Sequence, residues 1–253
     1  MRILILGGTI EARRLAERLA GRAELAVTLS LAGRTAAPAV QPVPVRIGGF
    51  GGAQGLADYL SKERIDALID ATHPYAAVIS ANAAAAARSA GVPLLALRRP
   101  PWIATAGDRW TEVAHVPAAA SALGAAPRRV FLALGRNELA PFAGAPQHQY
   151  LVRSVDPVEP PLAVPHAVYV TGRGPFGEAD DRALLEQHRI EVVVAKNSGG
   201  TATYGKIAAA RALGLPVIML RRPALPQVPA VATVDEAVAW LDHALTPSTA
   251  RGV

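Results

Sequence analysis

The opening segment constrains the fold most, because an apolar strand there runs through two glycines into a helix. Residues 3–6 are apolar, Gly7 and Gly8 permit a tight turn, and spaced leucines continue as a helix. Free N–H groups and the helix dipole then face the turn, as in a nucleotide pyrophosphate site. The Gly-x-Gly-x-x-Gly fingerprint is incomplete, so a turn without a ligand is the alternative. We predict cofactor contacts from Gly7, Gly8, Thr9, Ile10 and Glu11.

The end of the second predicted strand favours one cofactor over another. An apolar, β-branched run over 26–32 is followed by Gly33, Arg34 and Thr35. In doubly wound folds this position carries an acidic residue for NAD, whereas an arginine suits the 2′-phosphate of NADP. A solvated surface arginine is the alternative, but the spacing from the glycine turn favours the phosphate. We therefore predict an NADPH site that includes Ser30, Arg34 and Thr35.

The chain also contains an internal duplication. The segment 91–100, GVPLLALRRP, aligns without gaps on 214–223, GLPVIMLRRP, and strands alternate with helices in both halves. This pattern predicts an α/β fold of two similar Rossmann-like subdomains with parallel sheets. We predict an NADP(H)-binding subdomain over 1–100, a connector over 101–112 and a substrate-side subdomain over 113–253. Because such sheets bind ligands at their strand ends, we expect a ligand cleft between the two.

A polar loop follows the predicted strand 66–71 of the first half. Thr72 and His73 come between that strand and Pro74, which suits the start of the next helix. We expect both to hydrogen-bond the ribose or pyrophosphate of the cofactor. His73 is also a candidate proton donor, and no other catalytic residue is assigned. For Asp70 we expect a structural role as a helix cap or loop tie.

The corresponding second-half loop begins at Lys196 and combines a lysine, hydroxyls and glycines. Such a loop forms an anion cradle at a helix start. It lacks the spacing of a Walker loop, which argues against an ATPase. Arginines at other strand ends of the same half add positive charge. The predicted substrate-binding residues are Arg136, Arg153, Arg173, Lys196, Ser198, Gly199, Gly200, Thr201 and Tyr204.

Composition limits the partners. The net charge is +6, but the arginines are scattered without a basic run or interleaved aromatics. This favours a small acidic molecule over nucleic acid. There are no cysteines, and the six histidines lack metal-ligand spacing, so we expect no metal site. No apolar run approaches the ~20 residues of a membrane span and none suits a signal peptide, so we expect a cytoplasmic protein without membrane contact.

Six segments stand out in combination: Gly7-Gly8-Thr9 with Glu11-Ala12, Ser30-Leu31-Ala32-Gly33-Arg34, Gly48-Gly49-Phe50-Gly51-Gly52, Asp70-Ala71-Thr72-His73-Pro74-Tyr75, Arg99-Pro100-Pro101-Trp102 and Lys196-Asn197-Ser198-Gly199-Gly200. Together they resemble the precorrin-6A reductase family of cobalamin biosynthesis. The resemblance runs from Met1 to about Pro223 and is loose beyond Pro226. It implies NADPH-dependent reduction of one double bond of an acidic tetrapyrrole macrocycle to give precorrin-6B. Other enzymes of the same pathway are further candidate partners.

Two other function classes stay open from the residues. A non-redox tetrapyrrole-processing enzyme similar to uroporphyrinogen-III synthase would share the two subdomains and the anionic substrate. A non-catalytic NADP(H)-binding protein would share the nucleotide site. Arg34 argues against the first, which has no 2′-phosphate to hold. The second class is distinguished from a reductase by following NADPH absorbance at 340 nm with and without the tetrapyrrole, because a binding protein would not consume NADPH.

Overall fold

The chain forms two α/β units in a computed structural model that describes residues 1–33 and 40–245. The first unit combines Met1–Arg99 with the segment from Ala224 onward, and the second is Pro100–Pro223. Each contains a six-stranded, entirely parallel sheet, which confirms the predicted fold class. Within the described residues no helix has both the length and the apolar character to cross a membrane.

The described residues form twelve strands and seven α-helices. The strands are β1 Arg2–Leu6, β2 Ala26–Leu31, β3 Val45–Ile47, β4 Ala67–Asp70, β5 Leu94–Leu97, β6 Arg109–Val113, β7 Arg129–Ala133, β8 Gln149–Ser154, β9 Ala167–Thr171, β10 Val192–Lys196, β11 Pro216–Leu220 and β12 Ala230–Val231. The helices are α1 Ile10–Leu19, α2 Gly52–Lys62, α3 Ala77–Ala90, α4 Val116–Ala122, α5 Glu178–Gln187, α6 Gly205–Ala212 and α7 Val234–Leu245. Short 3₁₀ helices span Arg136–Glu138 and Ala140–Gly144.

Both sheets have the strand order of a doubly wound nucleotide-binding fold. The first runs β3-β2-β1-β4-β5-β12, and the second runs β9-β8-β7-β10-β11-β6. The order reverses between β1 and β4 in one sheet and between β7 and β10 in the other. Ligands of open parallel sheets bind beyond the carboxyl ends of the strands at this reversal.

The central strand β1 is buried on both faces, which explains its unbroken apolar run. Ile3 and Ile5 join a cluster with α1 and α7, whereas Leu4 and Leu6 join one with α2 and α3. Helix layers therefore cover both sides of the first sheet. This packing fixes the end of β1, and with it the glycine turn that follows.

Matching hydrogen bonds from a backbone N–H to an acidic side chain occur in both units and support the duplication. Arg2 N–H donates to Asp66 Oδ2 at 2.6 Å, and Arg129 N–H donates to Glu191 Oε2 at 2.8 Å. Each acidic residue comes two positions after an arginine with positive φ, a conformation rarely adopted outside glycine. The two units therefore follow one plan in detail as well as in strand order.

The unit boundaries differ from the predicted 1–100, 101–112 and 113–253. The predicted connector contains β6 residues, and β6 pairs with β11 as the sixth strand of the second sheet. Beyond residue 223 the chain returns to the first unit, where β12 pairs with β5 and α7 packs on α1. Thus β6, which follows β5 of the first sheet in the chain, completes the second sheet. Likewise β12, which follows β11 of the second sheet, completes the first. Local strand and helix patterns cannot indicate which sheet receives an edge strand, so the sequence did not reveal this.

A buried histidine in the second unit should make stability depend on pH. His148 is fully buried beside Tyr150, and burial lowers the pKa of its imidazole below the ordinary value of 6.5. As pH falls through that value, the unfolded chain binds a proton there that the folded chain does not, so stability is lost. We expect urea midpoints to fall from pH 7.5 to 5.5 less steeply in His148→Gln than in wild type. The exposed His166→Gln is the control, and parallel curves for His148→Gln and wild type would contradict this expectation.

Candidate functional site

The glycine turn of the first unit is fixed by Thr9, which caps α1. Thr9 Oγ1 accepts from Ala12 N–H at 3.1 Å and donates to the Ala71 carbonyl at 2.7 Å. The hydroxyl proton is therefore already committed. Any contact of Thr9 with an anion must come from its backbone N–H, together with those of the turn and the first helical residues.

Glu11 lies in the first turn of α1, and its carboxylate is paired with Arg99. Arg99 comes just after β5, its Nη1 lies 2.5 Å from Glu11 Oε2, and both side chains are largely buried. The pair neutralises a carboxylate that would otherwise repel a phosphate at this helix end. Ile10, the first residue of α1, is 36% exposed beside the turn.

A cavity of about 170 Å³ opens beyond the carboxyl ends of β1, β2, β3 and β4. It brings together three predicted cofactor residues, Gly7, Ser30 and Thr72. The predicted residues Gly8, Thr9, Ile10, Glu11 and His73 do not line it. The other lining residues are Leu6, Ala32, Gly48, Gly49, Phe50, Gly51, Gly52, Leu56, Ile79 and Asn82.

The glycine loop, residues 48–52, supplies much of the cavity wall and was missed as a site. Arg46 orders it by donating to the Gly48 carbonyl at 2.6 Å and the Gly49 carbonyl at 2.7 Å. Its guanidinium also lies 3.8 Å from the Phe50 ring centroid. Four glycines in five residues were the available signal. Asn82 lies within an alanine-rich helix, and nothing in the sequence singled it out.

Asp70 is a loop tie, as expected. It is buried at the end of β4 and accepts from the Thr72 N–H, the Thr72 hydroxyl and the Ser80 hydroxyl. His73 Nδ1 accepts from Tyr75 N–H at 3.3 Å. This contact requires an imidazole with its proton on Nε2 when neutral.

Two predicted cofactor residues, Arg34 and Thr35, lie outside the described residues. The described chain reaches Gly33 and resumes at Val40. The 2′-phosphate contact therefore stays a prediction from the sequence.

In the second unit, the largely buried side chain of Arg153 is paired within the unit. It forms an ion pair with the buried Asp181, and its side chain is 10% exposed. The guanidinium lies 3.8 Å from the Phe176 ring centroid. The ion pair occupies the Arg153 guanidinium within the unit, and the substrate role of Arg153 stays a prediction from the sequence.

Arg153 occupies the position in the second unit that Ser30 occupies in the first. Ser30 precedes Leu31, whose carbonyl accepts from the Gly48 N–H. In the second unit Arg153 precedes Ser154, whose carbonyl accepts from the Gly172 N–H in the same way. A small cavity-lining hydroxyl is thus replaced by a long, charged side chain.

Asp181 likewise corresponds to a cavity residue of the first unit. At the end of α2 the Leu60 carbonyl accepts from the Ile65 N–H, and at the end of α5 the Leu185 carbonyl accepts from the Ile190 N–H. Leu60 and Leu185 are therefore equivalent. One turn before them lie Leu56, which lines the cavity, and Asp181. The Arg153–Asp181 pair therefore stands where two cavity-lining side chains stand in the first unit.

Lys196 lies at the end of β10 and is paired with a residue that the sequence did not indicate. Its Nζ is 2.5 Å from Glu138 Oε2, which also accepts from the Gly135 N–H at 2.9 Å. Glu138 is half-buried in a short 3₁₀ helix after β7. Arg136 begins the same 3₁₀ helix, Arg173 lies in the loop after β9, and both are exposed.

The lysine loop, residues 196–204, is held mainly through its carbonyl groups. Trp102 Nε1 donates to the Gly200 carbonyl at 2.7 Å, and Arg222 donates to the carbonyls of Asn197 and Ser198. At Gly199 an added Cβ would lie 2.1 Å from the Pro100 carbonyl oxygen. The close approach explains this glycine. The N–H groups of Asn197 and Ser198 donate to the Leu220 and Lys196 carbonyls, so the peptide donors left for a ligand are those of residues 199–201.

Thr201 and Tyr204 complete the predicted substrate set, with different surroundings. Thr201 is exposed. The Tyr204 hydroxyl accepts from Arg211, and its ring packs edge-on against Trp102 at 5.5 Å between centroids. Tyr204 therefore contributes to packing beneath the loop.

Comparisons with known proteins agree over nearly the whole chain. The sequence model of the family described as "Precorrin-6x reductase CbiJ/CobK" matches residues 2–242. A "Precorrin-6A reductase" from Sinorhizobium sp is 58% identical over 247 residues, covering 98% of this chain and 95% of that protein. Its counterpart from Rhodobacter capsulatus is 54% identical, covering 100% and 99%. A solved structure described as "CobK precorrin-6A reductase" has a TM-score of 0.92 and 52% identity, covering 100% and 99%.

Proposed function

Because the chain belongs to the precorrin-6x reductase family CbiJ/CobK, we propose that it reduces precorrin-6A with NADPH held by its first unit. Membership makes it an oxidoreductase of cobalamin biosynthesis, and a reductase of this family implies a nicotinamide cofactor. When bound, such a cofactor supplies the hydride for one double bond of the macrocycle. The protein binds and orients both molecules.

One observation supports the first unit as the cofactor site. Its strand ends surround a cavity walled by glycine backbone, whereas the Arg153–Asp181 pair stands at the equivalent position of the second unit. A dinucleotide needs close approach to the backbone and room for a ribose. The residues of the first unit fit that need.

Within the first unit the cofactor groups would be divided among different donors. The Gly7 N–H donates to the Ser30 carbonyl at 2.9 Å. The peptide N–H groups of Gly8, Thr9 and the start of α1 suit the pyrophosphate. Ser30, with Arg34 and Thr35 farther along the chain, suits the adenosine ribose and its 2′-phosphate. Thr72 suits a polar group of a nucleoside.

The second unit offers positive charge and peptide N–H groups to an acidic substrate. Lys196, Arg136 and Arg173 follow strands of its sheet, and the lysine loop adds Ser198, Gly199, Gly200 and Thr201. These donors suit the carboxylates of a tetrapyrrole. His73 is the candidate donor of the proton that a reduced double bond also requires. To donate it the ring must be an imidazolium, and its Nδ1 then no longer accepts from the Tyr75 N–H.

The direct test is turnover of precorrin-6A by the purified chain. We expect absorbance at 340 nm to fall when NADPH and precorrin-6A are both present, and to stay constant when either is omitted. We also expect a smaller kcat/KM with NADH than with NADPH. A chain that binds NADPH but leaves the absorbance unchanged with precorrin-6A would be a binding protein only.

Lys196→Ala and Arg173→Ala should each raise the KM for precorrin-6A by about three- to tenfold and leave NADPH affinity unchanged. A carboxylate contact of this kind contributes similarly before and during the reaction, so its loss appears mainly in KM. Steady-state kinetics and NADPH titration by fluorescence measure the two quantities.

The design separates loss of a contact from exposure of a new charge. Lys196→Ala leaves Glu138 without its ion-pair partner, so the Lys196→Ala/Glu138→Gln double variant removes that charge too. The exposed Lys62→Ala in the first unit is the control. If the Lys196 and Arg173 variants lose NADPH binding but keep substrate affinity, the roles of the two units are reversed.

A further inference from the structure

Asp70 has all of its hydrogen bonds directed toward the loop and helix after β4. Its side chain is 3% exposed. Oδ1 accepts from the Thr72 hydroxyl at 2.6 Å and from the Thr72 N–H at 3.2 Å, while Oδ2 accepts from the Ser80 hydroxyl at 2.6 Å. A buried carboxylate with this set of donors controls how each donor is oriented.

The consequence for Thr72 follows from the chemistry of a hydroxyl. A hydroxyl has one proton to donate and two lone pairs that accept. The Thr72 proton is committed to Asp70, yet Thr72 lines the cavity. Toward the cavity its oxygen can therefore only accept.

We propose that Asp70 is a positioning residue that makes Thr72 a hydrogen-bond acceptor for a nucleoside part of the cofactor. The inference rests on the proposed NADPH site in the first unit. A phosphate oxygen is itself an acceptor and gains nothing from such a hydroxyl. The group that meets Thr72 must carry a proton, which limits it to a ribose hydroxyl, the adenine amino group or the carboxamide N–H of the nicotinamide.

The hydroxyl of the nearby Thr9 also donates its proton within the protein. Its hydroxyl proton is committed to the Ala71 carbonyl, and its oxygen accepts from the Ala12 N–H. Neither threonine hydroxyl can donate to the pyrophosphate, so pyrophosphate binding is left to the peptide N–H groups of the glycine turn. The hydroxyls at this edge of the sheet thus discriminate between the parts of a dinucleotide.

A double-mutant cycle tests whether Asp70 acts through Thr72. We expect Thr72→Val and Asp70→Ala each to raise the Kd for NADPH by about three- to tenfold, the loss of one neutral hydrogen bond. The double variant should be no weaker than the poorer single variant, because both changes remove one interaction. Fluorescence titration gives the Kd values, and circular dichroism shows that each variant is folded.

Two further variants separate this role from a merely structural one. Asp70→Asn keeps an oxygen that can face both donors of Thr72 while its amide N–H₂ faces Ser80, so we expect a Kd within about twofold of wild type. Ser80→Ala removes the other partner of Asp70, so we expect a lower Tm with an unchanged Kd. A role in stability alone would move Tm in every variant and Kd in none.

An altered cofactor identifies the proton that Thr72 accepts. The 3-acetylpyridine analogue of NADPH lacks the carboxamide N–H₂. If the penalty of Thr72→Val disappears with this analogue, Thr72 accepts from the carboxamide. If the penalty persists, Thr72 accepts from a ribose hydroxyl or the adenine amino group.

The inference and the proposed function fail in different ways. Additive effects of Asp70→Ala and Thr72→Val would show that Asp70 does not act through Thr72. A Thr72→Val variant with wild-type affinity, alongside a Gly8→Val variant that has lost NADPH, would overturn the inference and leave the site in the first unit standing. Wild-type affinity in both would overturn the site itself.

Discussion

A Gly8→Val variant should lose measurable NADPH binding and still fold. Gly8 has φ +111°, a conformation that a β-branched residue rarely adopts. An added Cβ would meet no protein atom within 4 Å. The expected loss therefore comes from the changed direction of the turn and from a side chain in the space proposed for the pyrophosphate.

Gly21 supplies a matched control for this substitution. It also has positive φ, +79°, and open space around it, but it follows the far end of α1. Gly21→Val should impose similar strain, about 1–3 kcal/mol, and lower Tm without changing the Kd for NADPH. Normal NADPH binding by Gly8→Val would place the pyrophosphate elsewhere.

Arg34→Ala should weaken NADPH binding by roughly tenfold to a hundredfold and leave NADH binding nearly unchanged. Loss of a charged contact to the 2′-phosphate costs about 1.5–3 kcal/mol, and NADH has no such phosphate. Arg34 follows β2 in the sequence, and Ser30 of β2 lines the cavity.

Titration of both cofactors into both proteins measures the effect. Arg13→Ala is the control, because Arg13 is an exposed arginine of the same unit whose partner is Glu17. Neither cofactor should be affected by that change. Equal loss of NADPH and NADH in Arg34→Ala would remove Arg34 from the 2′-phosphate site.

Periodicity and duplication predicted most of the regular structure. The apolar residues 3–6 lie within β1, the predicted run 26–32 contains β2, and the predicted strand 66–71 contains β4. Strands buried on both faces carry continuous apolar runs, so their sequences mark them clearly. The ungapped repeat predicted that the second unit would follow the plan of the first.

The sequence was less informative where the outcome depends on distant partners. Arg153 has the position of a ligand at a strand end, but Asp181, 28 residues later, neutralises it in the interior. Glu138 and Lys196 meet only because β7 and β10 are neighbours in the sheet. Single-residue chemistry indicated which side chains carry charge, but not which of those charges the fold had already used.

The exchanged sixth strands set the order in which the units can be completed during synthesis. The second unit is one continuous stretch, whereas the first needs β12 and α7 from beyond residue 223. The first strand of the first unit leaves the ribosome earliest. Even so, β5 remains an unpaired sheet edge until β12 has been synthesised, by which time all residues of the second unit are available. An unpaired edge is where another chain can add a strand. A nascent chain cut off near residue 223 would keep that edge, and the protein thus depends on its last segment to protect its first.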